Sequence, residues 1–455
     1  MSAAGTSPPS PTPAGLADWA WQSAAELLVP PPAKPPSPSP AIDPEALDLE
    51  ALDPEALDLE ALDLEDLVAA IDAAQPKLPL STDADEHDQA SWDPALLASL
   101  GLTLLSRTAD AEQDELLRRA ADGLRQQLAG SIVTYVVNRN LNVSNHCIKH
   151  CSFCAFRRDA GDPGAYWLSE ADLQQKAAEA LEAGATELCI QGGLNPAATV
   201  AGSQLAYAER LLGLLQQAAP GLHLHAFSPQ ELLYFAQHDG LPLDQVLDRL
   251  QAAGLGSVPG TAAEVLSEPV RQVLCPEKLT AREWVAVMLQ VHQHGLPATS
   301  TLMAGHIESP ADVVAHLLTL VAVQRYAWQH QRQGFTEFVL LPFVGASAPA
   351  ALRSRVQRDQ PDPAAMLRLT AQARLLLGPW FRFHQPSWVK LTLPGATEAL
   401  RWGCNDLGGT LMEEHITTMA GASGGTRQSP QALEAAAQRL GRPVRRRTTL
   451  YGAWA

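Results

Sequence analysis

Between residues 132 and 407 the chain alternates short β-branched segments with longer amphipathic ones, and this alternation restricts the fold more than any other feature. The strand-like segments cover 132–137, 187–191, 223–227, 254–258, 298–303, 335–341, 387–391 and 402–407. The helix-like stretches between them have recognisable starts: Ser169 with Asp172, Thr280 with Glu283, and Ser309 followed by Pro310 and Asp312 are N-capping patterns. Repetition of strand, helix, strand requires parallel strands joined by right-handed crossovers. Eight such units predict an α/β fold, a closed (β/α)8 TIM-like barrel, for which about 250 residues is typical. Chemistry in that fold sits at the C-terminal mouths of the strands. The segments that follow each strand are therefore where function is sought.

The first hundred residues read differently. They hold 19 acidic residues against only Lys34 and Lys77, and 13 of the 35 prolines fall before residue 55. A pentad recurs five times between Asp43 and Leu67, as DPEAL, DLEAL, DPEAL, DLEAL and DLEDL. Five residues matches no helical period, so the leucines drift around any helix and leave no lasting apolar stripe. Residues 1–95 are expected to form a disordered, Pro-rich, acidic extension. A helical segment over 96–130, a barrel over 131–427 and a C-terminal helix and tail over 428–455 complete the expected organisation. The apolar spacing of Leu116, Leu117, Ala120, Leu124 and Leu128 supports the first helix.

The remainder of the chain holds 31 acidic residues against 30 basic ones. A nearly neutral body offers no electrostatic footprint for nucleic acid. The absence of an 18-residue apolar run argues against a membrane span. The chain start has no basic n-region and no Arg-rich amphipathic stretch, so the cytoplasm is the expected location. Arg442, Arg445, Arg446 and Arg447 read as a solvated edge, or as an acidic-tail docking surface.

Of six cysteines, Cys147, Cys151 and Cys154 crowd together as C-x3-C-x2-C directly after the first strand, while Cys189, Cys275 and Cys404 are scattered. The scattered three read as small buried hydrophobes. The clustered three can hold three irons of a [4Fe-4S] cube and leave the fourth iron open for a substrate or cofactor. The competing reading is a Cys3His zinc site completed by His146 or His150, in a zinc-stabilised binding protein.

C-x3-C-x-aromatic-C, with Phe153 as the aromatic residue, resembles the signature of the radical S-adenosylmethionine superfamily. The resemblance implies S-adenosylmethionine on the open iron, Phe153 beside the adenine, and Gly192 and Gly193 at the methionine amino end. The acidic residue that often follows that glycine pair is Leu194 here. Further phrases are YVVNRNLN (135–142), QGGLNP (191–196), HAFSP (225–229), PGTAAE (259–264), GHIE (305–308), TEFVLLPF (336–343) and NDLGGTLMEE (405–414). They resemble the deazaflavin synthase group, in particular its 5-amino-6-(D-ribitylamino)uracil:L-tyrosine 4-hydroxyphenyl transferases.

That resemblance implies a deoxyadenosyl radical that takes hydrogen from the tyrosine amino group. The Cα–Cβ bond then breaks, and the 4-hydroxybenzyl fragment is transferred to the diaminouracil. The product would be the precursor of the F0 chromophore of coenzyme F420. It also implies an electron donor and, since only one three-cysteine loop occurs, a separate ring-closing radical enzyme. Candidate substrate-handling residues are His225 after the third strand, Glu308 after the fifth and Asp406 after the eighth. Asn138, Arg139, Asn140 and Asn142 are further candidates. Aminofutalosine synthase and dehypoxanthine futalosine cyclase of the menaquinone pathway share much of the pattern and are the alternative within the superfamily.

Overall fold

A computed structural model describes residues 62–76, 92–108 and 110–453. Its strands are β1 (Val133–Val136), β2 (Asn138–Asn142), β3 (Glu187–Gln191), β4 (His223–Ala226), β5 (Ala298–Ala304), β6 (Phe335–Pro342), β7 (His384–Pro386), β8 (Asp406–Gly409) and β9 (Val444–Arg447). Every pairing between them is parallel. β2, β3 and β4 pair in that order, as do β5, β6 and β7. Bridges from His225 to Ser257 and from Val258 to Ala298 connect the two groups. The Asn405 amide donates to the His384 carbonyl at 3.1 Å, and β8 pairs with β1, so the ring closes into the expected barrel.

Three segments differ from the sequence reading. The fourth strand is reduced to the bridges at Ser257 and Val258. The seventh is His384–Pro386, and the apolar run expected to form it begins a helix, Trp388–Ala399. Short apolar runs of this kind fit a buried helix as well as a strand. The eighth starts at Asp406 and ends at Gly409.

The helices form because their caps and apolar faces agree. Ala281–Gln293 starts with a capping box between Thr280 and Glu283. It buries Trp284, Met288 and Val291, one face of a 3.6-residue period. Among the described residues no helix is long and apolar enough to cross a membrane.

Both ends of the chain depart from expectation. The final pentad does not stay loose: Leu64–Ala73 is a helix that buries Leu64, Leu67 and Ile71 against Pro94–Ser106, Ala111–Ala129 and Pro363–Leu377. Gln75 follows it and donates to the Leu375 carbonyl at 2.8 Å. The expected disorder thus fails over 62–76 and 92–95, where the helix Pro94–Ser106 begins, while residues 1–61 and 77–91 lie outside the described residues. At the other end, helix Pro430–Gln438 is present as expected. The tail beyond it is no appendage, because β9 pairs residue for residue with β1, from Val133 opposite Val444 to Val136 opposite Arg447. β1 lies between β8 and β9, whereas its continuation β2 pairs with β3. β9 therefore seals the end of the barrel opposite the mouth.

Candidate active site

The cysteine loop leaves the end of β2 and folds back over the barrel mouth. Its backbone is tied down at several points: Cys147 N–H to Arg158 at 3.2 Å, Ser152 N–H to Leu274 at 2.8 Å and Ile148 N–H to Leu194 at 3.2 Å. The end of β3 approaches the same loop, where the Gly193 amide donates to the Ser144 carbonyl at 2.8 Å. A Cβ on Gly193 would stand 2.1 Å from the His146 carbonyl oxygen and 2.9 Å from Cys147 Cβ. Glycine is thus required there by close approach of two backbones. All three clustered cysteines line one cavity of about 420 Å³, together with Phe153, Gly192 and Gly193, a volume ordinary for a small-molecule site.

The donor set fits an iron–sulfur cube and not a zinc ion. Among the described residues no three His, Cys, Asp or Glu side chains converge on a single-ion site. A cube has no such requirement, because each thiolate takes a different iron. His150 is engaged elsewhere, with Glu277 at 3.2 Å and Arg157 at 2.8 Å. Phe153 presents its ring face to the Lys278 ammonium, 5.6 Å away, and Lys278 is held by Glu264 at 2.7 Å. Burial pushes the Cys151 thiol up to about 12, with Lys278 opposing it.

Alternation along β2 sorts the expected asparagines. Asn138 and Asn140 line the cavity, as residues two apart on a strand should. Arg139 points outward to Glu179 and Glu413 at 2.8 and 2.6 Å. Asn138 donates to Glu187 at 2.8 Å and accepts from the Leu411 amide at 2.9 Å. A Cβ on Gly409 would lie 2.0 Å from Asn138 Oδ1. The second glycine of the late Gly-Gly pair is thus accounted for by packing.

At the depth of the barrel lies a charged floor. Glu187, His225, Glu337, Arg447 and Thr449 all line the cavity there. Arg447 donates to Asp406 at 2.5 and 3.0 Å and to Glu337 at 3.1 Å, and the Tyr451 hydroxyl also donates to Glu337. Burial pushes the Glu337 carboxyl up to about 7 despite Arg447. Burial would also raise Glu187, but His225 and the Asn138 hydrogen bond hold it below its ordinary value. His225 is driven by burial down to about 4 and shares a 2.7 Å hydrogen bond with Ser257.

Of the three expected substrate-handling residues, only His225 reaches the cavity. Glu308 instead closes its own turn, accepting from the Gly305 and His306 amides at 2.5 and 2.9 Å. Asp406 does not follow the eighth strand at the mouth. It opens β8 at the opposite end, fully buried, with Thr134 Oγ1 donating to it at 2.5 Å. The Arg442–Arg447 run is a solvated edge only at Arg445, since Arg447 is buried and Arg442 donates to the Leu400 carbonyl at 2.8 Å. Sequence reasoning missed Glu187, Arg447 and Lys390. Lys390 lines the cavity wall, where burial pushes its ammonium down to about 8. The available signal for Glu187 was its place at the start of a strand, on the inward side of the alternation.

The barrel, the three-cysteine loop and the deep cavity define a radical S-adenosylmethionine enzyme, which uses a [4Fe-4S] cluster and S-adenosylmethionine; residues 141–320 match the radical SAM superfamily. Solved structures agree on the fold. The crystal structure of methylornithine synthase (PylB) superposes with a TM-score of 0.59 at 14% identity, covering 83% of this chain and 97% of its own. The FeFe-hydrogenase maturase HydG from Carboxydothermus hydrogenoformans gives 0.60 at 14% identity, covering 85% of this chain and 80% of its own.

Sequence relatives are much nearer. The 5-amino-6-(D-ribitylamino)uracil--L-tyrosine 4-hydroxyphenyl transferase of Cyanothece sp. (strain PCC 7425 / ATCC 29141) is 55% identical over 75% of this chain and 90% of its own. The protein of the same name from Gloeobacter violaceus is 56% identical over 76% of this chain and 88% of its own. The chain belongs to this transferase family.

Proposed function

We propose that the protein joins a 4-hydroxybenzyl group from L-tyrosine to 5-amino-6-(D-ribitylamino)uracil, giving the F0 precursor. The observation that carries this reading is a cavity crowned by the three-cysteine loop and running to a polar floor, in a chain whose relatives carry that name. Relatives at 52–56% identity carry the transferase name, which favours this reading over the menaquinone-pathway alternatives. When bound, the cluster and S-adenosylmethionine supply a carbon radical able to take hydrogen from a substrate amine.

The chain's own residues do the rest. Cys147, Cys151 and Cys154 would hold the cluster, and Phe153 would offer an aromatic face to the adenine. Backbone groups of Gly192 and Gly193 would meet the methionine end of the cofactor. Lys390 offers a cation on the wall to the tyrosine carboxylate. His225 can accept or return a proton at its ring nitrogen. The closed lumen excludes water that would divert open-shell substrates. An electron donor and a separate ring-closing enzyme complete the reading, in the cytoplasm.

The test is incubation of anaerobically reconstituted, reduced protein with tyrosine and the ribityl diaminouracil. A coupled product of the expected mass supports the reading; tyrosine cleavage with no adduct, or turnover only with a futalosine-type substrate, overturns it.

A further inference from the structure

The floor of the barrel has no role in holding the cluster, yet it is charged. Carboxylates from Glu187 and Glu337 face it from β3 and β6, and the Arg447 guanidinium joins them from β9. A (β/α)8 interior is ordinarily packed with branched apolar side chains at this depth. Buried charge is costly unless it is paired or serves a ligand.

Pairing inside the protein is incomplete. Arg447 uses its donors on Asp406, Glu337 and the Thr448 and Thr449 carbonyls, leaving Glu187 with Asn138 as its hydrogen-bonded neighbour at 2.8 Å. Thr449 is 7% exposed and lines the same cavity. Its hydroxyl meets no hydrogen-bond partner of acceptable geometry, although it stands near enough to Glu187 to help keep that carboxyl low. The floor therefore presents acceptors from two carboxylates and a hydroxyl that both donates and accepts, beside a guanidinium already bound to protein oxygens. This is the complement of a row of alcohols.

The substrates of the proposed reaction differ in what they can place there. Both reacting centres, the tyrosine amino group and the uracil ring carbon, must lie at the cofactor end under the cysteine loop. Tyrosine ends in a single phenol, whereas the uracil carries a flexible chain with a hydroxyl on successive carbons. We propose that the barrel floor, through Glu187, Glu337 and Thr449, with Arg447 positioning Glu337, is the binding site for the ribityl chain, and that it orients the uracil with its ring toward the mouth. The proposal rests on the function read above and assigns specificity-determining residues within it.

The experiment compares holoenzyme turnover of the ribityl diaminouracil with that of the analogue bearing N-methyl in place of ribityl, at saturating tyrosine. A site built for hydroxyls rejects the analogue that lacks them by several orders of magnitude. Wild-type kcat/KM should fall by at least about a hundredfold for the N-methyl analogue. Thr449→Val and Glu337→Gln should each shrink that ratio by about tenfold, leaving the KM for tyrosine and the iron content unchanged. D-Ribitol added to wild type should compete with the uracil and not with tyrosine, a readout independent of whether either variant folds. Equal use of both uracils by wild type, an undiminished ratio in folded variants, or no competition by ribitol overturns the floor assignment. Failure of wild type to couple either uracil to tyrosine would instead sink the functional reading itself.

Discussion

Gly193 and His146 meet so closely that a single methyl group on Gly193 would stand 2.1 Å from the His146 carbonyl oxygen. The end of β3 and the cysteine loop can share this space only while residue 193 has no side chain. Gly193→Ala should therefore displace the loop and the Cys147 ligand with it. Iron and sulfide per reconstituted chain are expected to fall by more than half. Gly213→Ala, on a helix with open space around the position, should keep full cluster content and gain up to about 1 kcal/mol of stability.

Arg447 is the single guanidinium that Asp406 and Glu337 share. Arg447→Met would leave two buried carboxylates facing each other, at a cost of about 3–5 kcal/mol. Adding Asp406→Asn to that variant should recover part of the loss, because one uncompensated charge is removed with it. Urea unfolding of the two proteins at pH 7 checks both statements.

Glu413 lies outside the barrel and accepts from Lys176 and Arg139 at 2.6 Å each. Burial alone would raise its carboxyl, but these cations hold it at about 2, against an ordinary 4.5. A depressed carboxylate stabilises the fold fully above the unfolded value, and the contribution is lost as pH falls through the folded one. Glu413→Gln should cost about 1 kcal/mol at pH 7 after allowance for solvent screening. The difference from wild type should shrink below pH 4.5 and vanish near pH 2, as read from acid unfolding curves.

Lys390 poses the opposite case. Its folded value of about 8 lies below the ordinary 10.5, so below pH 8 the buried ammonium weakens the fold. The penalty fades as pH rises toward 10.5. Lys390→Met should raise the thermal midpoint at pH 7 and lose that advantage by pH 10. Turnover should drop by at least tenfold if the ammonium holds the tyrosine carboxylate. A variant that is more stable yet fully active would remove Lys390 from the site.

The parts of this architecture that were legible in sequence are those with local causes. Capping boxes at Ser169, Thr280 and Ser309 all form as read, and the cysteine spacing located the loop over the barrel mouth. What could not be read depends on distant partners. Trp388 and Val389 suit a strand in isolation, but they start a helix whose Trp388 indole donates to the Gly409 carbonyl at 3.0 Å. Nothing near Asp406 in the chain announces that its counter-ion comes from Arg447. Glu308 was expected to face substrate, but two amides within its own turn satisfy it. The floor was hidden for the same reason: Glu187 and Glu337 stand at strand starts, where inward carboxylates make sense only once β9 is in place.

The pairing of β9 with β1 also sets an order of assembly. The segment that completes the barrel is made after every other barrel strand, while its neighbour is the first barrel strand to be made. Contacts of such long sequence separation form late and slowly. Nascent chains still lacking residues 444–451 would hold Glu337 and Asp406 without their counter-charge. Maturation of the metallocentre on a properly shaped chamber would therefore have to wait until β9 has been made and docked.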